Sequence, residues 1–513
     1  MRWLSILIPL LVACGSSSPA EPSDTGTDAG TDIAVDAPSA AQRTFDDLVA
    51  YAETYAIDKG IPGLSIALVL DGKLAFSTGV GVKADGGTDR VGTHTRFRVA
   101  SMTKMIVATG AMQLVEQGKL SLDDTLESRL PWMKLQPGFD AKTVKLSQLL
   151  SHTAGFPDGL GVTCDVGAGA LEKYYAADGP YPLWSPPGRL WNYSNHHYAM
   201  AAGMIEAATG KVFTDVLATS VLGPLGMREA TFEPKLAAAG DHVQGHQKGT
   251  KPGVLRAVPI DRWDCASLRA AGGLYATAED YAHLAEVFLD GGGTVLSKAS
   301  VAAMTAPHAN LGQGPDTNYG FGLFGFDWKG LSVISHDGGL PGFLSTVMWV
   351  PAKKMAVVVL ANADAASVEP VALRAIDAFL SPTGEAKTYR TDPSTWTRYA
   401  GSYDDPFATL GATKVTLAGG KLGLAYGPSE TPVDLVQAAA DSFVGDFVAL
   451  GTKLGVTFFA DPSGAVEYVV TRVGVARRTA AGFATVPSKK LARIELVGPP
   501  SPVPRMDALL LHD

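Results

Sequence analysis

Three cysteines in 513 residues are too few for a disulfide-built scaffold. The fold must therefore rest on an apolar core, and at 46% apolar composition the chain can bury a large one, divided over two domains. Charge is scarce as well: 18% of residues are charged, and a net charge of −9 leaves no basic footprint for a nucleic acid partner. No apolar run is long enough to span a bilayer. The ten histidines show no His-Glu-x-x-His or paired Cys/His spacing, so no metal is implied. With neither a Walker loop nor a dinucleotide fingerprint, no cofactor is expected. Chemistry carried by side chains alone remains open.

The termini read differently from the middle. Met1-Arg2-Trp3-Leu4 begins a short cationic and apolar segment that runs to Val12 and fits a secretory signal. It ends in Leu11-Val12-Ala13-Cys14, which resembles the bacterial lipobox. That resemblance makes residues 1–14 a lipoprotein signal, Cys14 the lipidated residue, the membrane a partner through that anchor, and the cell envelope the location. The plainer alternative is an ordinary signal cleaved near Ala13. Residues 15–42, built mainly from Ser, Pro, Gly, Thr, Ala and Asp, read as a flexible acidic linker. Their repeated Asp-x-Gly-Thr-Asp lacks the later glutamate of an EF-hand loop, so calcium is not read there. Cys164 and Cys265 are candidates for a disulfide in an oxidising compartment, against two buried thiols.

Periodicity organises the rest. Residues 44–57 read as a helix, and 61–70 and 73–80 as strands joined at Asp71-Gly72, a strong hairpin signal. A region rich in helix and loop follows, including a helix over 277–289 opened by Thr277-Ala278-Glu279-Asp280, a variant capping box. Strand patterns return at 331–336, 344–350 and 355–361, before a helix at 368–380. Strands at both ends of a helical middle predict an α/β (α+β) class, an antiparallel sheet flanked by helices with a mostly helical subdomain. This predicted domain covers 43–382 and a linker 383–394. Short alternating runs separated by Gly, Asp and Pro predict an antiparallel, barrel-like β domain at 395–480; the tail 481–513 stays unassigned.

Within that frame, Ser101 opens a predicted helix over 101–117, and Ser101 and Lys104, three apart, share one face. Free N–H groups at a helix start can stabilise an oxyanion formed by attack of that serine. A lone Ser-x-x-Lys is weak evidence, since serine caps helices and lysine covers their faces. Three further stretches join it: Leu149-Leu150-Ser151-His152-Thr153-Ala154-Gly155, Trp191-Asn192-Tyr193-Ser194-Asn195, and Ser335-His336-Asp337-Gly338-Gly339. In order and approximate spacing the set resembles the motifs of the serine β-lactamase-like family, which includes class C β-lactamases, D,D-peptidases, D-aminopeptidases and related esterases. The C-terminal β domain likewise resembles the lipocalin-like modules attached to some family members, notably through Tyr399-Ala400-Gly401-Ser402-Tyr403.

The resemblance implies roles. Ser101 would be the nucleophile, with Lys104 and Tyr193 sharing the proton transfer it needs; which of them is the base stays open. Asn195, His336 and Gly338 would bind substrate, and the N–H groups of Ser101 and Gly339 would form the oxyanion hole. His152 is read as loop packing, and His196 and His197 receive no role. The third motif departs from the Lys-Thr-Gly of typical β-lactamases: His336 replaces an ammonium with an imidazole that is mostly neutral at pH 7. His-x-Gly suits peptidases and esterases, so the implied activity is hydrolysis of a small peptide or ester, with a β-lactam substrate of class C type as the alternative. A catalytically inactive cell-envelope binding protein is the reading from another class. The loop 156–184, with Cys164, and the segment around Cys265 are expected to form the pocket rim.

Overall fold

A computed structural model describes residues 39–158, 165–249, 253–262, 264–311, 316–385, 392–405, 412–426, 431–447, 452–471 and 474–479. The signal, Cys14, most of the acidic linker, Cys164 and the C-terminal tail lie outside the described residues. Helix α1 (Ala40–Lys59) starts earlier than its predicted bounds. The reason is local: Ser39 caps it by accepting from the Gln42 N–H, so residues 40–42 belong to the helix and not to the linker. Strands β1 (Gly63–Leu70) and β2 (Lys73–Gly81) form the expected hairpin, with Asp71 and Gly72 at φ 51° and 77°.

The main sheet is drawn from both ends of this domain. Strands β3 (Ala309–Asn310), β4 (Asn318–Tyr319), β5 (Phe324–Trp328), β6 (Leu331–Leu340), β7 (Phe343–Val350) and β8 (Met355–Ala361) join the first hairpin in the order β2-β1-β8-β7-β6-β5-β4-β3. All neighbours are antiparallel, and β1 meets β8 with Leu64 opposite Ala361. One face packs against α1 and the helix α6 (Glu369–Leu380) through Phe45, Leu48, Val357, Val371 and Ile376. The other face carries the helical subdomain, whose central helix α2 (Thr103–Glu116) is buried from Thr103 through Leu114. A helix apolar on all sides belongs at the centre of a core, which is why α2 can hold a site rigidly. Around it lie α3 (Asn195–Thr209), α4 (Ala266–Gly272) and α5 (Ala278–Leu289), the last with its expected Thr277/Asp280 capping box.

The C-terminal strands close on themselves. The strands β9 (Gly401–Asp404), β10 (Ala412–Ala418), β11 (Lys421–Tyr426), β12 (Val433–Ala439), β13 (Ser442–Phe447), β14 (Thr452–Ala460), β15 (Val466–Thr471) and β16 (Gly474–Arg478) form an antiparallel barrel, sealed by β9 against β16. Its interior is packed with Trp396, Tyr399, Phe443, Phe447 and Phe458. Closure removes the edges that an open sheet of short strands would expose. Among the described residues no helix is long and apolar enough to cross a membrane.

Candidate active site

Ser101 does not begin a regular helix. It sits in a 3₁₀ turn, Ala100–Met102, and α2 starts at Thr103. Ala100 adopts φ +48°, a conformation that costs a non-glycine residue about 1–3 kcal/mol and persists only where its surroundings enforce it. They do so here from both sides. Thr103 Oγ1 donates to Ala100 O at 2.7 Å and accepts from the Leu274 N–H, while Ser345 Oγ on β7 donates to Val99 O at 2.8 Å. Strand β6 comes so close that a Cβ on Gly338 would lie 2.2 Å from Val99 O. Gly338 is thus a residue of close approach, and the glycine pair lets β6 run to Leu340, past its predicted end at 336.

Lys104 follows one turn later with no exposed surface. Its Nζ lies 3.0 Å from Ser101 Oγ, 2.9 Å from Asn195 Oδ1 and 2.7 Å from Ala271 O. Two of these partners can only accept. Ala271 O is a carbonyl, and Asn195 is oriented by Asp158, whose Oδ1 accepts from Asn195 Nδ2 at 3.1 Å and from its backbone N–H at 2.9 Å. The line to Ser101 Oγ is therefore the one of these three along which a proton can pass in either direction. An ammonium would donate to all three oxygens; an amine would donate to two and accept from the serine.

Tyr193 lies beside this group, with Lys104 Nζ 4.7 Å from its ring centroid. His152 lies on another side, its ring centroid 4.3 Å away, so the histidine expected only to pack a loop forms a wall of the tyrosine. A second histidine sets that wall. The Phe156 N–H donates to His197 Nε2 and the Ser194 N–H to His152 Nδ1, each at 3.2 Å, so both nitrogens are acceptors. His197 must then carry its proton on Nδ1 and donate it to His152 Nδ1 at 3.0 Å. Burial, with His196 and Lys104 adding positive charge, pushes His197 down to about 3 and keeps it neutral.

His336 is also neutral, and for the same first reason. Burial and then Lys104 push it down to about 3. Its Nδ1 lies 2.7 Å from Asp337 O, which can only accept, so Nδ1 holds the proton and Nε2 accepts from Tyr319 OH at 3.2 Å. Both nitrogens are engaged inside the wall with Tyr319 and Phe324, which differs from the substrate contact expected of this residue. Asp337, between His336 and Gly338, is buried too, with Thr346 donating to it; burial raises its carboxyl to about 6.

Exposure outlines the cleft. Ser101, Tyr193 and Asn195 are each partly exposed within stretches that are otherwise mostly buried, as is Gly339 near the end of β6. Asp158 is partly exposed beside them. The segments that carry Cys164 and Cys265 in the sequence meet next to Cys265, where the Ala266 N–H donates to Asp165 O at 3.0 Å. Cys265 is disulfide-bonded, while Cys164, its expected partner, lies outside the described residues. Among the described residues no cluster of potential metal ligands occurs. Asp158, Ala271 and His197 were not legible as site residues. Ala271 contributes a backbone oxygen that every residue type has, and nothing in Phe156-Pro157-Asp158 marks the aspartate.

The chain is similar to known proteins over most of its first domain. A Beta-lactamase family model matches residues 41–380. Penicillin-binding protein 4 of Amycolatopsis lactamdurans is 30% identical over 321 residues, 60% of this chain and 82% of that protein. Protein flp of Staphylococcus aureus (strain COL) is 26% identical over 330 residues, and this chain spans only 63% of its length, with 63% of this chain covered. The crystal structure of SurE superposes with a TM-score of 0.67 at 25% identity, covering 86% of this chain and 100% of that one. The motifs around Ser101, Tyr193 and His336 all fall inside the matched span, on the sheet and central helix just described, and the chain belongs to the Beta-lactamase family, whose members are serine hydrolases.

Proposed function

We propose that this protein hydrolyses amide or ester bonds through an acyl-enzyme on Ser101, with short D-amino-acid peptides or esters as its substrate class. The observation that carries the reading is the 3.0 Å contact between Ser101 Oγ and a lysine whose other two acceptors are fixed. A serine hydroxyl needs a base to become nucleophilic. On this reading its proton moves to Lys104 Nζ as Oγ bonds to the carbonyl carbon, and the N–H groups of Ser101 and Gly339 receive the oxyanion. Collapse of the tetrahedral species breaks the bond to the leaving group, which takes its proton from Lys104 by way of the Tyr193 hydroxyl. Water then attacks the acyl carbonyl, giving its proton to the same base, and Ser101 is restored.

The neutral wall at His336 supports the choice of substrate. A penicillin or a D-alanyl-D-alanine terminus carries a carboxylate near the scissile bond, and this chain has a neutral imidazole at His336 where typical β-lactamases have an ammonium to grip it. Neutral esters and amides avoid the mismatch. The lipobox-like segment ending at Cys14 supports an envelope location by lipid anchoring.

Intact mass spectrometry tests the reading on protein from Ser39 onward, which keeps the capped start of α1, alongside Ser101→Ala. An activated D-alanyl ester should add one acyl group to the wild type, none to the variant, and clear with time. A stable penicillin adduct or rapid penicillin turnover would move the assignment towards penicillin binding or β-lactamase activity. No adduct from any acyl donor would sink the hydrolase reading in favour of a binding protein.

A further inference from the structure

The barrel touches the hydrolase domain at one telling place. Trp184 and Leu190, on the segment that leads into Trp191-Asn192-Tyr193, form a buried apolar cluster with Tyr468, Val470 and Val475 of the barrel. Between them Arg189 reaches across: its Nη2 donates to Ala460 O at 2.8 Å and to Glu467 Oε2 at 3.0 Å. The other Glu467 oxygen accepts from Arg477 at 3.0 Å, which holds the carboxylate in place on the barrel side. The Arg189 and Glu467 side chains are 28% and 25% exposed, so the pair is shielded beyond an ordinary surface ion pair.

The same barrel reaches the far side of the tyrosine segment. Trp191 packs on Leu311, Tyr319 and Phe324, with Tyr193 against that cluster, and Leu311 O accepts from Thr457 Oγ1 of β14 at 3.4 Å. The segment carrying Tyr193 is thus held between two contacts made by one closed barrel. We propose that the barrel is a brace acting within the chain, which positions Tyr193 through Arg189. This rests on the hydrolase reading above. The inference differs from a cap over the cleft: a cap would act on substrate size, whereas a brace acts on the geometry of proton transfer. Displacement of a reacting group by about 1 Å costs up to roughly a hundredfold in rate even when the cause is remote.

The test uses the full chain and two readouts, one of them independent of turnover. With a small activated ester, Arg189→Ala should lower kcat about tenfold with KM within about twofold, and alter the pH profile of kcat, since proton delivery is what loosens. Arg189→Lys should recover part of the loss, because one donor can still reach Ala460 O. Glu467→Gln should cost less than Arg189→Ala, and the double variant no more than Arg189→Ala alone. Fluorotyrosine placed at position 193 should give one sharp fluorine resonance in the wild type and a shifted or broadened one in Arg189→Ala. Thr457→Val and Glu467→Gln, made on the barrel side, supply the same readouts if Arg189→Ala does not fold. An unchanged fluorine resonance together with unchanged kcat overturns the brace, as does a loss confined to thermal stability or to KM for larger esters. A wild type that turns over no ester overturns the hydrolase reading, and the fluorine resonance still decides whether the barrel positions Tyr193.

Discussion

Replacing His336 with lysine would restore the residue type of typical β-lactamases, and for a β-lactamase of class C type it should improve turnover of penicillins and cephalosporins. The structure predicts the opposite. Burial and the charge of Lys104 take the imidazole from its ordinary 6.5 to about 3, so a positive charge at this place costs about 5 kcal/mol relative to water. An introduced ammonium meets the same penalty or loses its proton. At pH 7, deprotonation from an ordinary lysine value near 10.4 also costs about 5 kcal/mol, and at pH 9.5 only about 1 kcal/mol. His336→Lys should therefore melt about 6–9 °C below wild type at pH 7 and recover most of that by pH 9.5, given the size of the domain. The wild type runs the other way: the stability conferred by keeping His336 neutral is present above pH 6.5 and is lost as pH falls towards 3. Thermal melts of both proteins at pH 5.5, 7 and 9.5, with turnover of a chromogenic cephalosporin, make the comparison. A variant that melts like wild type at pH 7 and gains cephalosporin turnover would refute the reasoning, because it would mean that position 336 faces solvent and accepts charge.

Further outcomes follow from other contacts. Asp158→Ala should lower kcat about tenfold by freeing the Asn195 amide to turn, whereas Asp158→Asn, which keeps an acceptor, should retain most activity; equal rates would show that Asp158 does not orient Asn195. Asp337 has its carboxyl raised by burial to about 6, so stability is greatest while it is protonated and falls as pH rises from 3.8 to 6. Asp337 is hydrogen-bonded to the buried Glu369, so Asp337→Asn should raise stability in urea unfolding at pH 8 and change little at pH 4, and equal effects at both pH values would remove the buried charge as the cause. Gly338→Ala places a Cβ 2.2 Å from Val99 O and 2.3 Å from Ser345 Oγ, so acylation of Ser101 should be lost with about 1–3 kcal/mol of stability. Normal acylation by that variant would show that β6 can withdraw from the Ser101 turn without harm.

What was legible in the sequence is what chemistry and neighbours along the chain decide. The β1–β2 hairpin follows from Asp71-Gly72, the α5 start from Thr277 and Asp280, and the pairing of Ser101 with Lys104 from three-residue spacing on a turn. The alternating runs beyond residue 395 implied a barrel-like β domain, while the closure of β9 on β16 is a long-range pairing that only the folded chain shows. Tertiary structure alone decided the electrical state of the site. A histidine is mostly neutral at pH 7 by residue type, but that His336 stays neutral down to about pH 3 depends on its burial beside Tyr319, Phe324 and Lys104, and burial is not a property of a residue type. The third acceptor on Lys104 is the carbonyl of Ala271, 167 positions away, and backbone atoms leave no mark in a sequence. The contact of Arg189 with Glu467 spans 278 positions; only the folded chain shows that the barrel reaches the segment bearing Tyr193.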